Sequence, residues 1–246
     1  MATTEANEDP MITARTVDLT NCDREEIQFC GAIQPHAALV VVKEAAWTVQ
    51  YTSANSLVMF GRSAESVLDR SLGDLIGDEY SMRVRKEVAR QRTLTCPPIF
   101  LFTARLPEWA NDLHLFAHRN DDGFLILEFE GISHDGPVPV QDLYTEACAG
   151  ITDLEHTDTV QSFFDAAVTR LRQFTGYDRV LAYKFLEDGS GRVIAEDRAE
   201  DLESYVGLHY PASDIPEPAR RLFSMKWVSH LPDVDYESVS LVASDQ

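Results

Sequence analysis

Apolar and polar residues alternate along the first half of the chain in a pattern that predicts strands broken by short helices. Ala38-Leu-Val-Val-Val42 is a short β-rich run, and Trp47-Thr-Val-Gln-Tyr51 alternates with the period of two expected of a strand with one covered face. Short helical segments are expected between Ser53 and Leu68. Asp78–Arg92 carries Tyr80, Val84 and Val88 at helical spacing with charges between them, so it reads as an amphipathic helix. Strands are then expected over Ile99–Leu106, Leu113–Arg119 and Phe124–Glu130, the last two separated by the turn signal Asn120-Asp-Asp-Gly123. Together these form a meander.

Gly131–Pro139 combines Gly, Ser, Asp and two prolines and reads as a linker, with a domain boundary near residue 135. Beyond it, Val160, Phe163, Phe164, Ala167, Val168, Leu171 and Phe174 fall on one face of a helix that ends at the C-cap signal Gly176. This predicts a docking helix. Arg179–Leu186 and Arg192–Glu196 flank Asp188-Gly-Ser-Gly191 and read as a hairpin. Val180, Ala182 and Lys184 then lie on one face, while Tyr183 shares the other, apolar face with Leu181 and Phe185.

The stretch His209–Pro216 is stiffer than its surroundings. Pro211 and Pro216 hold φ near −65° and bias Tyr210 and Ile215 towards extended geometry. Pro216 suits the first turn of a helix over Glu217–Leu222, and Pro218 is tolerable because the first four helical N–H groups lack internal partners. Asp214 therefore stands just before a helix N-terminus, where the dipole favours its ionised form. A rigid aspartate preceded by an aromatic is a platform for a flat, cationic, nitrogen-rich ligand. The same eight residues also read as a plain capped junction between loop and helix.

Composition sets outer limits. The chain has 246 residues, enough for one large or two ordinary domains, and its 44% hydrophobic content supports real cores. Its 41 acidic residues against 21 basic ones give a formal charge of −20. Nucleic acid and anionic lipid both require a basic face, so neither is expected as a partner. No cationic, apolar leader opens the chain and no run approaches a membrane span, which reads as cytoplasmic. Cys22, Cys30, Cys96 and Cys148 contain no Cys-x-x-Cys pair, so free thiols are expected rather than a zinc site or disulfide framework. His114 and His118 share one strand face, but no third metal ligand stands near them in the sequence. The chain shows no nucleophile–base pair or nucleotide motif and does not read as an enzyme.

Leu208-His-Tyr-Pro-Ala-Ser-Asp-Ile-Pro216, preceded by Gly176-Tyr-Asp-Arg-Val-Leu-Ala-Tyr-Lys-Phe185, closely resembles the chromophore-binding GAF domain of bacterial phytochromes. Val17-Asp-Leu-Thr-Asn-Cys22-Asp-Arg-Glu-Glu-Ile27 and Gly31-Ala-Ile-Gln-Pro-His36 resemble the N-terminal segment of the same family. The resemblance implies an α+β fold: an N-terminal extension over 1–36, a PAS domain with an antiparallel sheet and flanking helices over 37–134, and a GAF domain over 135–246. It implies red/far-red light sensing through biliverdin joined to Cys22 by a thioether, with a terminal ring that isomerises. It also implies a homodimer in the full-length family, and a histidine kinase output with its response regulator outside this sequence.

By the same resemblance Asp214, Tyr183, Tyr210, Ser213, Ile215 and Pro216 line the chromophore pocket, the Asp214 carbonyl accepting from pyrrole N–H groups. A carboxylate about 4 Å from the protonated tetrapyrrole would contribute about 4 kcal/mol at an effective dielectric near 20. Asp23, Glu25 and Glu26 tend to raise the thiol pKa of Cys22, with Arg24 opposing, so attachment there would depend on proximity to bound bilin. The chain departs from the family pattern at Phe223, where a tyrosine is usual, at Ser229, where an arginine is usual, and at Ala37, where a glycine is usual. The family's GAF domain continues past Gln246 and loops around the segment near Ile33. Residues 1–246 alone are therefore expected to bind biliverdin weakly and photoconvert little. A chromophore-free PAS/GAF interaction or dimerisation module is the alternative reading.

Overall fold

The β-rich run that opens the pattern becomes a central strand. The computed structural model describes residues 27, 31–91, 93–94, 97–106, 112–132, 140–226 and 228–244. Strand β1 (Ala32–Ile33) is followed by β2 (Ala37–Lys43) and β3 (Thr48–Ser53). The alternating run was expected to include Trp47, but Trp47 has φ 55°, a left-handed conformation that ends the turn after β2 and delays the strand by one residue. Four helices follow: α1 (Ser56–Phe60), α2 (Ala64–Val67), α3 (Leu72–Ile76) and α4 (Asp78–Arg90). Helix α3 was not anticipated, although its capping box is legible in the sequence. The Ser71 hydroxyl accepts from the Asp74 N–H at 3.1 Å, and the Asp74 carboxylate accepts from the Ser71 N–H at 3.2 Å.

Strands β4 (Ile99–Ala104), β5 (Leu113–Arg119) and β6 (Leu125–Gly131) form the expected meander, with β6 pairing to both β5 and β2. Their alternation decides the core. Leu113, Leu115, Ala117, Leu125, Leu127 and Phe129 are buried against Val40 and Val42 of β2 and against Met59, Phe60, Leu72, Val84 and Val88 of the helices. Phe129 meets Phe60 edge to face at 5.0 Å. Each of the larger side chains, Val, Leu, Met or Phe, contributes roughly 1.5–3 kcal/mol on burial. Two hydroxyls buried beside this core are paired: that of Ser53 donates to Asn55 Oδ1 at 2.6 Å and accepts from the Leu39 N–H at 3.0 Å, while that of Ser56 donates to the Arg62 carbonyl. Glu44 receives Arg119 through two contacts of 2.7 and 3.1 Å, which tie the β2–β3 turn to the end of β5.

The second half begins with α5 (Val140–Glu155), which the sequence reading missed, and α6 (Val160–Thr175), which it anticipated. The Thr159 capping box and the left-handed Gly176, whose N–H bonds the Arg172 carbonyl at 2.9 Å, set the ends of α6. Strands β7 (Arg179–Phe185) and β8 (Gly191–Arg198) make the hairpin, and β9 (His209–Tyr210) adds to β8. Helix α6 packs on β7 and β8, burying Val168 with Val193 and Ala195. The docking face is covered only in part, since Val160, Phe163, Leu171 and Phe174 stay exposed. A small sheet has too little surface to cover the whole apolar stripe of a four-turn helix.

Helix α7 (Glu217–Met225) follows the proline-bounded stretch, and the last strand, β10 (Val239–Ala243), returns to the first sheet. There it pairs antiparallel with β3, and with β1 on its other side, giving the order β1-β10-β3-β2-β6-β5-β4. The sequence reading had placed these residues in the second domain. In the structure they satisfy the free backbone groups along β3, which would otherwise be a sheet edge. The chain thus divides into two compact units, one of Glu26–Asp135 with Leu222–Gln246 and the other built on Gly136–Arg221. The linker expected over Gly131–Pro139 falls mostly outside the described residues. No helix among the described residues is long and apolar enough to cross a membrane.

Candidate functional site

The site residues of the second unit stand on the β7–β8 hairpin and the stretch after β9. The hairpin turns at Asp188, whose carboxylate accepts the Ser190 hydroxyl and, at 3.0 Å, the Ser190 N–H. These bonds, the hydroxyl's above all, hold the Asp188 carboxyl below its ordinary pKa. Gly189 at the tip has φ 80°, which favours glycine. Ala182 faces Ala195 and Tyr183 faces Val193, so Ile194 is an extra residue on β8 and the pair is bulged at Tyr183. Tyr183 lies over Gly191, and a Cβ at Gly191 would collide with its ring. The absence of a side chain there is what lets the phenol sit down on the strand.

A ten-residue connection, 199–208, leads from β8 to β9, and it is organised around Glu196. The Glu196 side chain is only 2% exposed and sits 3.2 Å from Arg179 Nε and 3.6 Å from Arg198 Nε. It also accepts the Ser204 hydroxyl at 2.8 Å and the Tyr205 N–H at 3.0 Å. Arg179 donates to the Glu203 carbonyl at 2.6 Å and stacks on Tyr205, 3.7 Å from its ring centre. Gly207 and Leu208 then bond to Val193, and β9 pairs with Gly191 and Arg192. Tyr210 is thereby delivered beside Tyr183, with ring centres 6.0 Å apart, while Phe185 meets Tyr183 edge to face at 5.2 Å.

Pro211 has the expected φ of −65° and Ile215 the expected extended geometry, but Ala212–Asp214 between them forms a single 3-10 turn, closed by the Asp214 N–H on the Pro211 carbonyl at 3.1 Å. Asp214 and Ser213 are exposed on this turn, and Ile215 and Pro216 are half-buried behind it. Arg220, on α7, reaches back to donate to the carbonyls of Ala212, at 2.9 Å, and Ile215. The Tyr183 phenol is raised above its ordinary pKa of 10.0, first by burial, then by the charge of Asp214 and by Tyr210, with Arg220 opposing.

Tyr183, Tyr210 and Asp214, singled out in the sequence for one ligand, thus form one corner, with Ser213 on the same turn. The apolar face predicted for Tyr183 is real but open, since Phe185 is 40% exposed. Cys22 lies outside the described residues. Sequence reasoning missed Arg220, Glu196 and Gly191. For Arg220 the available signal was its place four residues after Pro216, one helical turn in and facing back towards the loop. A flat conjugated cation fits what is present: aromatic faces from Tyr183, Tyr210 and Phe185, and an exposed carboxylate. The histidine pair considered for a metal is engaged otherwise, His114 with Thr103 at 3.1 Å and His118 with Glu128 at 3.2 Å. No cluster able to hold a metal ion is found among the described residues.

Residues 22–132 match the model of a family described as PAS fold. The chain is 32% identical over 231 residues to cyanobacterial phytochrome A of Nostoc sp., covering 94% of this chain and 30% of that protein. It is 37% identical over 236 residues to a bacteriophytochrome of Pseudomonas aeruginosa, covering 92% of this chain and 30% of the relative. It therefore spans about 30% of the length of these relatives. Among solved structures it is similar to the chromophore binding domain of Stigmatella aurantiaca phytochrome P1, with a TM-score of 0.81 and 34% identity, covering 92% of this chain and 74% of that one.

Two outcomes are expected. Glu196→Ala leaves Arg179 and Arg198 charged beside a hole, and should lower stability by about 3–5 kcal/mol in urea denaturation. Asp214→Asn removes a negative charge that disfavours the tyrosinate, so the Tyr183 pKa should fall towards 10.0, read by NMR titration of ring-labelled tyrosine.

Proposed function

This chain belongs to the phytochrome family, and on that premise we propose that it senses red and far-red light through a covalently attached biliverdin. The observation that carries the reading is the corner of Tyr183, Tyr210 and Asp214 on a proline-bounded turn, in a chain 34% identical to a chromophore-binding domain. Bound there, the bilin supplies visible absorption and a double bond that isomerises. Tyr183 and Tyr210 pack against its terminal ring. Asp214 places a carboxylate beside the cationic nitrogens and favours their protonated form, an effect that grows as the ligand excludes water from this exposed residue. Ser213 offers a hydroxyl on the same turn, and Ile215 and Pro216 give it an apolar backing.

Cys22 is the attachment residue in this reading, joined to a vinyl side chain by a thioether. Its acidic neighbours disfavour the thiolate, so the rate of attachment comes from holding the bilin beside the sulfur, which is worth an effective molarity of order 10⁵ M or more. The sensing step belongs to these residues, and an output reaction, its response regulator and a homodimeric assembly belong to the whole receptor. A chromophore-free interaction module is the second reading, favoured by the exposed stripe Val160, Phe163, Leu171 and Phe174 on α6. It predicts no visible band after co-production with biliverdin.

Zinc fluorescence on a denaturing gel detects even fractional attachment. The band should vanish in Cys22→Ser and persist when Cys30, Cys96 or Cys148 is changed; a band that survives Cys22→Ser removes the assignment. In a chain completed with a family GAF C-terminus, Asp214→Ala should keep the band yet lower the pH at which the bound bilin loses its proton, measured by visible titration, and should impair photoconversion. Wild-type titration and photocycling in that variant would count against the carboxylate's role.

A further inference from the structure

We propose that Arg220 is a positioning residue for the bilin corner, a clamp that fixes the Ala212–Asp214 turn and so determines where Asp214 meets the ligand. The role as a bilin-positioning group rests on the light-sensing reading above; the clamp itself rests on geometry. The 3-10 turn is closed by one hydrogen bond, from the Asp214 N–H to the Pro211 carbonyl, and short 3-10 segments have poor bond geometry. The prolines on either side restrict φ at their own positions but leave ψ free at Ala212, Ser213 and Asp214. Arg220 supplies constraints the prolines do not. Its backbone N–H is tied to the Pro216 carbonyl at 3.1 Å, so the side chain starts from an ordered helical turn. Nη1 then donates to the carbonyls of Ala212 and Ile215, which bracket Ser213 and Asp214.

The hairpin tip closes the other side. A Cβ at Gly189 would come within 3.3 Å of the Ala212 Cβ and 3.5 Å of Arg220 Nη2. Turn, guanidinium and hairpin tip are therefore close neighbours, and a side chain at the tip would press on both the turn and the guanidinium. Charge-assisted bonds from a planar guanidinium are strong and fixed in direction. Lysine is one atom shorter and carries no planar group, so it does not reproduce them. Arg220 also places a positive charge near Tyr183 that offsets the effect of Asp214, so the electrostatics of the corner depend on the same side chain.

The test compares the 246-residue chain with its Arg220→Gln, Arg220→Lys and Gly189→Ala variants. In the ligand-free protein, amide hydrogen exchange at Asp214 should quicken roughly 10- to 100-fold in Arg220→Gln, the range for losing one charge-assisted hydrogen bond. Amides of β7 and β8 should keep their protection, which separates loss of the clamp from unfolding. With biliverdin bound, Arg220→Lys, which keeps the charge but loses the planar donors, should lower the pH at which the bilin deprotonates, and the shift should be smaller in Arg220→Gln, which also removes a positive charge that disfavours the bilin cation. Gly189→Ala, acting from the hairpin side, should disturb the same amide and the same titration. An unchanged Asp214 amide in Arg220→Gln overturns the clamp. A quickened amide with an unshifted bilin titration in Arg220→Lys overturns its positioning role. If the wild-type chain, completed with a family GAF C-terminus, shows no zinc-fluorescent band, the light-sensing reading fails and the amide measurement alone decides the clamp.

Discussion

A carboxylate withdrawn from water governs the second unit. Glu196 would be costly to bury alone, and its position is tolerable because Arg179 and Arg198 stand on either side and the loop turns its own Ser204 hydroxyl and Tyr205 N–H inward to it. The four partners come from the start of β7, the end of β8 and the connection that follows. Satisfying one charge therefore sets the path of that connection back along β8. Only from that path can β9 reach Gly191 and Arg192 at the far end of the strand. Tyr210 and the turn after it inherit their place from this pairing.

The corner that results is built from components that would each be unremarkable alone. A tyrosine over a glycine is a common way to cover bare backbone in a sheet. A proline-bounded aspartate is a common helix approach. Their combination is what matters chemically, because it puts aromatic faces and a negative charge together on a surface left open towards a ligand. The raised phenol of Tyr183 records that proximity, since part of the shift comes from the charge of Asp214. The first unit solves a different problem. Its core is closed by strands whose alternate residues face four helices, and the row of backbone groups along β3 is closed by β10, a strand distant in sequence.

What the sequence determined by itself is local. The β-rich run of β2, the strand candidates that become β5 and β6, the helical spacing of Val84 and Val88, the Asn120–Gly123 and Asp188–Gly191 turns, and the proline brackets around Asp214 all act within a few residues, and each appears where it was expected. The phytochrome resemblance brought Tyr183, Tyr210 and Asp214 under one ligand, and the fold sets them side by side. Tertiary structure decided the rest. Nothing local marks Val239–Ala243 as a partner for β3, because strand pairing depends on which edge is free and not on the strand's own pattern. The apolar stripe of α6 was legible, but its exposure was not, since burial depends on the area of the surface it meets. Glu196 and Arg220 read as ordinary surface charges in a chain with 41 acidic residues. They acquire their roles because a charge removed from water must be met by whatever groups the folded backbone brings within reach.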